Sequence, residues 1–348
     1  MLKSPVFKII TLSSSSSSFG NCSTFVPLKR FLQMYDYLTI LGPTASGKTS
    51  LAVQICRHIN GQIISADSRQ VYRGLDIGTG KDLSEYSQGG TSVTAHMIDL
   101  CPVDDEYNLF RYVTHARHLL RQIIGSLSIP VLCGGTGLYL SSLIFDYKLS
   151  EAPPNLQLRQ DLGNMDLEAI VSRLLELKPS LHNTTDVLDR DRAARALEIA
   201  LAELKDPSIQ SNCPATPCSS SASPLHSLTI GIHLPRNVLR DSIRKRLYQR
   251  LDQGMLEEVQ SLIDSGTSFE RLDSLGLEYR YLSRYLKGDM SLDEAVDTLY
   301  IKICQFAKRQ MTWFRKMERS GLEIYWLDSA DTQQLLSLIT SKTNWLGR

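Results

Sequence analysis

The chain has 348 residues, 42% hydrophobic and 22% charged, with a formal net charge of +1. This is enough apolar sequence for one large or two modest domains, and the low net charge means that local patches must hold any anionic partner. Seven scattered cysteines without a CxxC pair argue against a disulfide framework or a zinc site and favour a cytoplasm-like compartment, and no apolar run approaches the roughly 18–20 residues of a membrane helix.

Residues 1–35 are predicted to form an extension outside the fold. No acidic residue occurs before Asp36, and Ser13–Ser18 is a homopolymer. A basic, serine-rich and acid-free segment is typical of a mitochondrial or plastid transit peptide. The alternatives are a disordered tail, or upstream sequence attached by a wrong start. We expect the fold to begin near Met34, with a cytoplasmic location as the main expectation and an organelle as the alternative.

From Tyr37, short apolar runs alternate with glycine turns and amphipathic segments. Strands are predicted at 37–42, 62–65, 130–133 and 228–233, and helices at 48–59 and 109–124. Such βαβ alternation is typical of a parallel α/β sheet with helices on its faces. The sequence therefore predicts an α/β core over 36–149, to which a strand after residue 228 returns.

The remaining segments differ in composition. Residues 150–205 lose the strand pattern and predict a helical insertion, and 206–227, rich in Ser, Pro and Asn, predict a flexible linker. Residues 228–330 are predicted to be the returning strand followed only by helices. Residues 331–348 are assigned to a C-terminal tail.

A phosphate-binding loop follows the first predicted strand and opens the first helix. It matches GxxxxGK[ST] with Gly42, Pro43, Thr44, Ala45, Ser46, Gly47, Lys48 and Thr49. Glycines let backbone N–H groups surround an anion, Lys48 adds a full positive charge, and the Thr49 hydroxyl can reach a phosphate-bound Mg²⁺. The motif makes the core P-loop NTPase-like and predicts a diphosphate or triphosphate ligand, which a nucleotide-binding kinase would share.

Two further turns lie at the carboxyl ends of predicted strands. Asp67 follows the second strand, where a doubly wound sheet brings it to the phosphate loop. A carboxylate beside an anion indicates a general base or a Mg²⁺ ligand, although a simple turn cap is the alternative. Thr136 follows the next strand within a glycine-rich turn. A second metal-binding Asp after an apolar strand is not evident, although Ile98-Asp99 could imitate one.

Basic residues crowd into two predicted helices. Residues 236–250 carry six Lys or Arg against the single acid Asp241, and 306–316 interleave basic and aromatic residues as FAKRQMTWFRK. Cations that meet phosphates and rings that stack on bases favour nucleic acid, although a solvated helix face is the usual explanation for a charge run.

In their order, GPTASGKT, ISADSRQVYRGLDIGTGK, GGTGLYL, RALEIAL, GLEYR and AKRQMTWFR resemble the tRNA dimethylallyltransferase (isopentenyltransferase) family over roughly Tyr37–Asp328. The GTGKD and GLEYR variants are closer to its bacterial members. The resemblance implies transfer of a dimethylallyl group from dimethylallyl diphosphate to N6 of adenine 37, in the anticodon stem-loop of tRNA. It also implies Mg²⁺ as cofactor and a monomeric enzyme.

The resemblance also implies roles for single residues. Asp67 matches the general base, with Thr136 and Lys48 as further catalytic residues and Arg246 at the diphosphate. The implied tRNA contacts are Asp67, Ser68, Arg69, Gln70, Arg159, Asp191, Arg192, Arg195, Lys308, Arg309, Gln310, Trp313 and Arg315. Asp191 replaces a usual Gln, and a surface salt bridge is the alternative for Arg195. Ser242 replaces a common Arg, whose contact is missing or supplied by Arg244.

Three other functions remain open at this point. A metabolite kinase would hydrolyse or transfer nucleotide phosphate without needing basic C-terminal helices. Prenyl transfer onto AMP or ADP would share the core without a tRNA surface. A non-catalytic RNA-binding module would not need Lys48, Thr49 and Asp67 together.

Overall fold

A computed structural model describes residues 34–346 apart from 88–89, 91, 148, 153–154, 164, 180–186 and 207–223. The predictions for residues 1–33 and for most of the linker lie outside the described residues.

Six parallel strands form one sheet in the order β3-β2-β4-β1-β5-β6. They are β1 (Tyr37–Leu41), β2 (Gly61–Ala66), β3 (Ala95–His96), β4 (Ile129–Gly134), β5 (Ser227–Ile232) and β6 (Tyr325–Leu327). The α/β fold with a P-loop-type parallel sheet is confirmed, and the four predicted strands are correct to within one residue at each end. The edge strands β3 and β6 were not predicted, and β6 is an exception to the expectation of helices alone after Pro235, because runs this short show no periodic signal.

Both faces of the sheet are covered, which explains why the central strands β1 and β4 are buried along their whole length and mostly apolar. Successive side chains of β1 point to opposite faces: Leu38 and Ile40 pack with α1 (Lys48–Ile59), whereas Tyr37 and Leu41 belong to the core on the other side. α1 spans the predicted residues, and α3 (Leu109–Gly125) ends one residue later than predicted. The short helices α2 (Leu83–Ser87) and α4 (Gly137–Ile144) complete this half.

The insertion contains α5 (Leu156–Leu162), α6 (Leu167–Leu177) and α7 (Arg190–Lys205). These helices have an apolar cluster of their own, separate from both clusters of the sheet. Each begins at an Asn or Asp side chain that accepts a backbone N–H of the first turn, which is why the helices start where they do.

Six helices follow β5. They are α8 (Arg236–Asp252), α9 (Met255–Asp264), α10 (Phe269–Leu275), α11 (Leu277–Lys287), α12 (Leu292–Arg319) and α13 (Thr332–Lys342). The segment assigned to a tail thus contains a helix, whose Leu335 and Ile339 are buried against the α1 face of the sheet, as is Trp345. Among the described residues, no helix has the length and apolarity to cross a membrane.

Candidate active site

The phosphate loop lies between β1 and α1 at the carboxyl edge of the sheet. Ala45 and Gly47 have positive φ values of 61° and 83°, which curl the backbone before the helix begins. A Cβ atom at Gly42 would lie 2.7 Å from Ser46 Oγ, so only glycine fits there. Lys48 Nζ donates to the Pro43 carbonyl at 3.3 Å and thus stays over the loop. The curled backbone at a helix N-terminus is a site for anionic oxygens.

Gln310 of α12 braces this loop. Its Oε1 accepts the Thr44 N–H at 2.8 Å, and its Nε2 donates to the Gly135 carbonyl at 2.9 Å. The side chain is buried, and both halves of the amide are used. A contact between this amide and RNA would require these bonds to break. The position therefore favours a brace between α12, the phosphate loop and the turn after β4.

A small cavity of about 60 Å³ opens beside the loop and brings together side chains from three strand ends. Its lining includes Lys48 and Thr49 from the loop, Asp67 from the end of β2 and Cys133 from β4. Asp67 therefore lies beside the phosphate loop, as predicted.

Asp67 and Thr136 both hold the turn that follows β2. Asp67 Oδ1 accepts the Arg69 N–H at 2.9 Å, which is the turn-capping bond considered as the alternative role. Thr136 Oγ1 accepts the Ser68 N–H at 3.2 Å, and the Thr136 N–H donates to the Ala66 carbonyl at 3.2 Å. One oxygen of the Asp67 carboxylate thus fixes the turn, so capping and proton transfer are compatible.

The positively charged side chains around the cavity favour the binding of an anion. Burial lowers the pKa of Lys48, and the positive charge of Arg246 lowers it further, against the opposing effects of Cys133 and Asp67. A bound anion would stabilise the charged amine in this position. Burial raises the pKa of the neighbouring Cys133 thiol to about 12, so it remains protonated near neutral pH and behaves as a small buried hydrophobe.

Gln70 is held inside the protein in the same manner as Gln310. Its Oε1 accepts the Ser65 hydroxyl at 2.8 Å, and its Nε2 donates to the Gly80 carbonyl at 3.1 Å. Its neighbours Ser68 and Arg69 are half-buried. Gln70, one of the residues assigned to tRNA contact, therefore connects β2 to the loop that carries Gly80.

The loop of residues 75–82 forms one wall of the site and is fixed by two side chains, Glu258 and Lys81. The Glu258 carboxylate of α9 accepts the N–H groups of Asp76, Ile77 and Gly78 at 2.7–3.0 Å. Lys81 is fully buried and donates to the Tyr72 carbonyl at 2.8 Å and to Asp76 at 2.6 Å.

Lys81 also pairs with Asp99, the residue that could have imitated a second metal-binding carboxylate. This ion pair indicates that Asp99 has a structural role. Among the described residues, moreover, no group of three or more His, Cys, Asp or Glu side chains could hold a metal ion.

α8 brings Arg246 to the cavity, where its Nη2 lies 3.5 Å from Asp82 Oδ2. Burial lowers the pKa of Arg246 to about 10, with a further contribution from the charge of Arg250. The Arg244 guanidinium lies 4.7 Å from the centre of the Tyr300 ring, and Arg244 is not among the residues that line the phosphate-loop cavity. Ser242 does line the phosphate-loop cavity.

Two arginines assigned to tRNA share one buried carboxylate in the insertion. Arg159 Nη2 lies 3.2 Å from Glu198 Oε2, and Arg195 also pairs with this carboxylate. Both guanidinium groups stay partly exposed, with 49% and 36% of their side-chain surface accessible. The salt bridge considered for Arg195 therefore exists, with a buried partner. Asp191 and Arg192 are exposed in the first turn of α7.

Acid is expected to loosen α5 from α7. Burial raises the pKa of Glu198, but hydrogen bonds from the Asn155 N–H, Arg195 and Arg159 outweigh it and hold the pKa below its ordinary value. The resulting stabilisation is fully present above the ordinary pKa and is lost as pH falls through the lowered pKa. Amide hydrogen exchange in α5, corrected for intrinsic rates, should accelerate between pH 5 and pH 3, roughly the carboxylate range.

Glu198→Gln is the control for this prediction. The variant should already show the faster α5 exchange at pH 7 and should respond little to acid. Equal protection of α5 in the parent protein across this range would contradict the prediction.

α12 presents basic residues beside the cavity. Lys308, Arg309 and Arg315 are exposed, whereas Trp313 is half-buried with its ring against Gly137. A Cβ atom at Gly137 would overlap this ring, so the glycine permits helix α4 and the indole to meet. Trp313 thus connects the basic helix to the turn after β4.

Phe306 lies one helical turn before Gln310 and was not among the predicted site residues. It is 38% exposed and lines the cavity with Lys48 and Asp67. Its position four residues before Gln310, on the same helix face as a residue already assigned to the site, was a signal available in the sequence.

Comparison with known proteins agrees with this arrangement. The family model described as IPP transferase matches residues 70–317, and the model described as isopentenyl transferase matches residues 35–94. The chain is 45% identical over 302 residues to tRNA dimethylallyltransferase 1 of Syntrophus aciditrophicus, covering 87% of this chain and 96% of that protein. It is 43% identical to tRNA dimethylallyltransferase 2 of Phocaeicola vulgatus, covering 89% and 100%.

Solved structures give the same picture. The tRNA isopentenylpyrophosphate transferase of Bacillus halodurans superposes with a TM-score of 0.62 at 28% identity, covering 88% of this chain and 96% of that one. A eukaryotic dimethylallyltransferase acting on tRNA shares the fold, with a TM-score of 0.67 at 23% identity, covering 88% and 76%. The phosphate loop and Asp67 lie at one edge of the sheet, and bacterial relatives match the chain along nearly their whole length. The chain therefore belongs to the tRNA dimethylallyltransferase family of prenyltransferases.

Proposed function

We propose that this protein transfers the dimethylallyl group of dimethylallyl diphosphate to N6 of adenine 37 in tRNA. One observation carries the proposal: the cavity that joins the Asp67 carboxylate to Lys48 and Thr49 of the phosphate loop. A base and a diphosphate site in one cavity suit a reaction in which an amine displaces diphosphate. The relatives named above support the coarser function.

The reaction forms a bond between adenine N6 and C1 of the prenyl group and breaks the bond from C1 to the diphosphate oxygen. Because the lone pair of the amine is delocalised into the ring, N6 is a poor nucleophile. Asp67 accepts the proton that N6 loses, an effect worth about 10²–10⁴-fold in rate. The leaving diphosphate takes the bonding electron pair, and Lys48, Arg246 and the loop N–H groups stabilise its charge.

We propose Mg²⁺ as the cofactor, with the Thr49 hydroxyl as its protein ligand. Hydroxyl and carboxylate oxygens are hard ligands of the kind Mg²⁺ prefers, and Thr49 and Asp67 line the same cavity. The buried Ser46 hydroxyl of the loop has no hydrogen-bond partner among the described residues. These residues fit the ion, which would supply additional charge neutralisation at the leaving oxygens.

The acceptor adenine must leave the anticodon stack to reach this cavity. The exposed cations of α12 are suited to the backbone of the anticodon stem-loop, and Phe306 at the cavity offers an aromatic face to an extruded base. Arg192, with Arg159 and Arg195 on Glu198, gives the insertion a second basic surface. We propose that both surfaces bind tRNA and that the enzyme acts as a monomer.

The direct test uses purified protein, unmodified tRNA, labelled dimethylallyl diphosphate and Mg²⁺, with AMP and ATP in parallel reactions. Label recovered as N6-prenyladenosine at position 37 is the expected result. Label in AMP alone would indicate transfer to a free nucleotide. Consumption of ATP without label transfer would return the phosphate loop to a kinase.

Replacing Arg309 with alanine should weaken tRNA binding without changing dimethylallyl diphosphate binding. Arg309 is exposed on α12, so its replacement removes a cation available to one phosphate. The slope of log affinity against log salt concentration should become shallower by about one. Titrations at several salt concentrations measure this slope.

Arg284→Ala is the matched control for Arg309. Arg284 of α11 is also an exposed arginine, but its Nη2 pairs with Asp273 of α10 at 2.7 Å. Its replacement should leave the slope unchanged. A slope unaffected in Arg309→Ala, or changed equally in both variants, would exclude Arg309 as a specific contact.

A further inference from the structure

Two arginines from successive turns of α8 converge on the loop that walls the cavity. Arg246 and Arg250 are four residues apart and therefore share one face of the helix. A Cβ atom added at Gly80 would overlap the Nη2 atoms of both side chains. Gly80 also has a positive φ of 62°. Glycine adopts this backbone conformation readily, and its lack of a side chain leaves room for the two guanidinium groups.

Arg250 is buried and only partly bonded. It is 8% exposed, and its Nη1 donates to the Gly78 carbonyl at 3.1 Å and lies 3.8 Å from Glu278 Oε1. Its Nη2 is also buried and has no hydrogen-bond partner among the described residues. Buried donors are almost always paired, so an unpaired one in a charged group calls for a missing acceptor.

The surrounding acids do not supply that acceptor. The contact of Glu278 is with Nη1, and Asp82, with 46% of its side chain exposed, lies beside Arg246. Arg250 and Arg246 each oppose the charge of Lys48, and burial together with Arg250 depresses the pKa of Arg246. Three cations therefore face one another across a space that suits a multiply charged anion.

That space is continuous with the phosphate loop. A cavity of about 410 Å³ is lined by loop residues 45–50, by Lys245 and Gln249 of α8 and by the carboxylates Asp82 and Glu85, and Ser242, Arg246 and Arg250 of α8 also line it. Ser242, Arg246 and Arg250 repeat every four positions, so Ser242 lies one turn before Arg246 on the same face, without a charge. The Arg244 guanidinium lies against the Tyr300 ring, so Arg244 does not supply the positive charge that Ser242 lacks.

We infer that Arg250 is the second arginine of the diphosphate site and that its Nη2 donates to a diphosphate oxygen opposite Lys48. The inference rests on the proposed function, because that function supplies the diphosphate. Gly78 and Glu278 hold the guanidinium through Nη1 and leave Nη2 unpaired beside Gly80. In this chain, Arg250 thus supplies, two turns later on the same helix face, the positive charge that Ser242 does not provide.

Calorimetric binding of inorganic pyrophosphate in Mg²⁺ tests the inference without the transfer reaction. Arg250→Met should weaken pyrophosphate binding by about 30-fold or more, as expected when one partner of a buried charged pair is removed. The KM for dimethylallyl diphosphate should rise in parallel, while the KM for tRNA stays within about 2-fold. Arg244→Met, an arginine on the opposite face of the same helix, should leave pyrophosphate binding unchanged.

A second variant separates ligand binding from stability. Arg250→Met leaves Glu278 without its cation, whereas Arg250→Met combined with Glu278→Gln removes both charges. The double variant should melt near the parent temperature and still bind pyrophosphate weakly. Parent-like pyrophosphate binding in this double variant would overturn the assignment and leave Arg250 with a purely structural role.

The two proposals fail separately. If pyrophosphate binding depends on Arg250 but no tRNA is prenylated, the assignment stands and the proposed acceptor is wrong. If tRNA is prenylated and pyrophosphate binds equally to parent and Arg250 variants, the transferase stands and the assignment is wrong.

Discussion

Replacing Asp67 with asparagine should lower the rate of prenyl transfer by about 10²–10⁴-fold, the usual contribution of a positioned base. Asparagine keeps an acceptor for the Arg69 N–H, the bond that Asp67 Oδ1 makes at 2.9 Å. The turn after β2 should therefore survive, and only the charge and the basic oxygen are removed. Single-turnover kinetics with saturating tRNA measure the chemical step, and tRNA affinity should stay within about 2-fold.

Asp146→Asn provides the matched control for Asp67→Asn. Asp146 is exposed, pairs with Arg117 at 2.7 Å and has a φ of 50°, a conformation that asparagine tolerates well. The same chemical change at this other carboxylate should alter the transfer rate by less than about 2-fold, since Asp146 lines neither the cavity that holds Asp67 nor the phosphate-loop cavity. A parent-like rate in Asp67→Asn would remove Asp67 from the role of base.

Replacing Lys81 with methionine should lower the free energy of unfolding by about 2–3 kcal/mol. Lys81 is fully buried and pairs with Asp76 and Asp99, so its replacement leaves two carboxylates and the Tyr72 carbonyl unpaired. The cost should be below the 3–5 kcal/mol typical of a fully buried pair, because side-chain exposure of 56% and 38% lets water reach the two carboxylates. Urea unfolding followed by tryptophan fluorescence measures the change.

Lys287→Met is the surface counterpart. Lys287 lies 3.9 Å from Asp289, and both side chains are about half exposed. Its replacement should change stability by less than about 0.5 kcal/mol. If both lysine variants unfold at the same urea concentration, the buried ion pair does not hold the loop of residues 75–82.

The features that the sequence predicted are those encoded within a few neighbouring residues. β1 and β4 are buried throughout because both faces of the sheet are covered, and their mostly apolar pattern is visible in five or six residues. The phosphate loop is equally local. β3 was missed because two residues cannot show a pattern, and its pairing with β2 depends on residues about thirty positions earlier.

The side chains that hold the site were harder to predict because their partners are distant in sequence. Glu258 and Gln310 resemble ordinary polar residues of amphipathic helices until the fold places backbone N–H groups against them. The sequence alone favours Arg250 over Arg244 beside Arg246, because Ser242, Arg246 and Arg250 repeat at four-residue intervals on one helix face and Arg244 lies off that face. Burial of an arginine on that face was not expected from composition, because arginines are rarely buried.

The brace from Gln310 has a consequence for the order in which the site is completed during synthesis. Thr44 leaves the ribosome 266 residues before the amide that accepts its N–H. Arg246 and Glu258 also follow the phosphate loop by about two hundred residues. A nascent chain that ends before α12 therefore contains the phosphate loop without its brace. The cavity beside the phosphate loop is completed by long-range contacts late in translation, so a truncated product of this gene carries the recognisable motif without the assembled cavity.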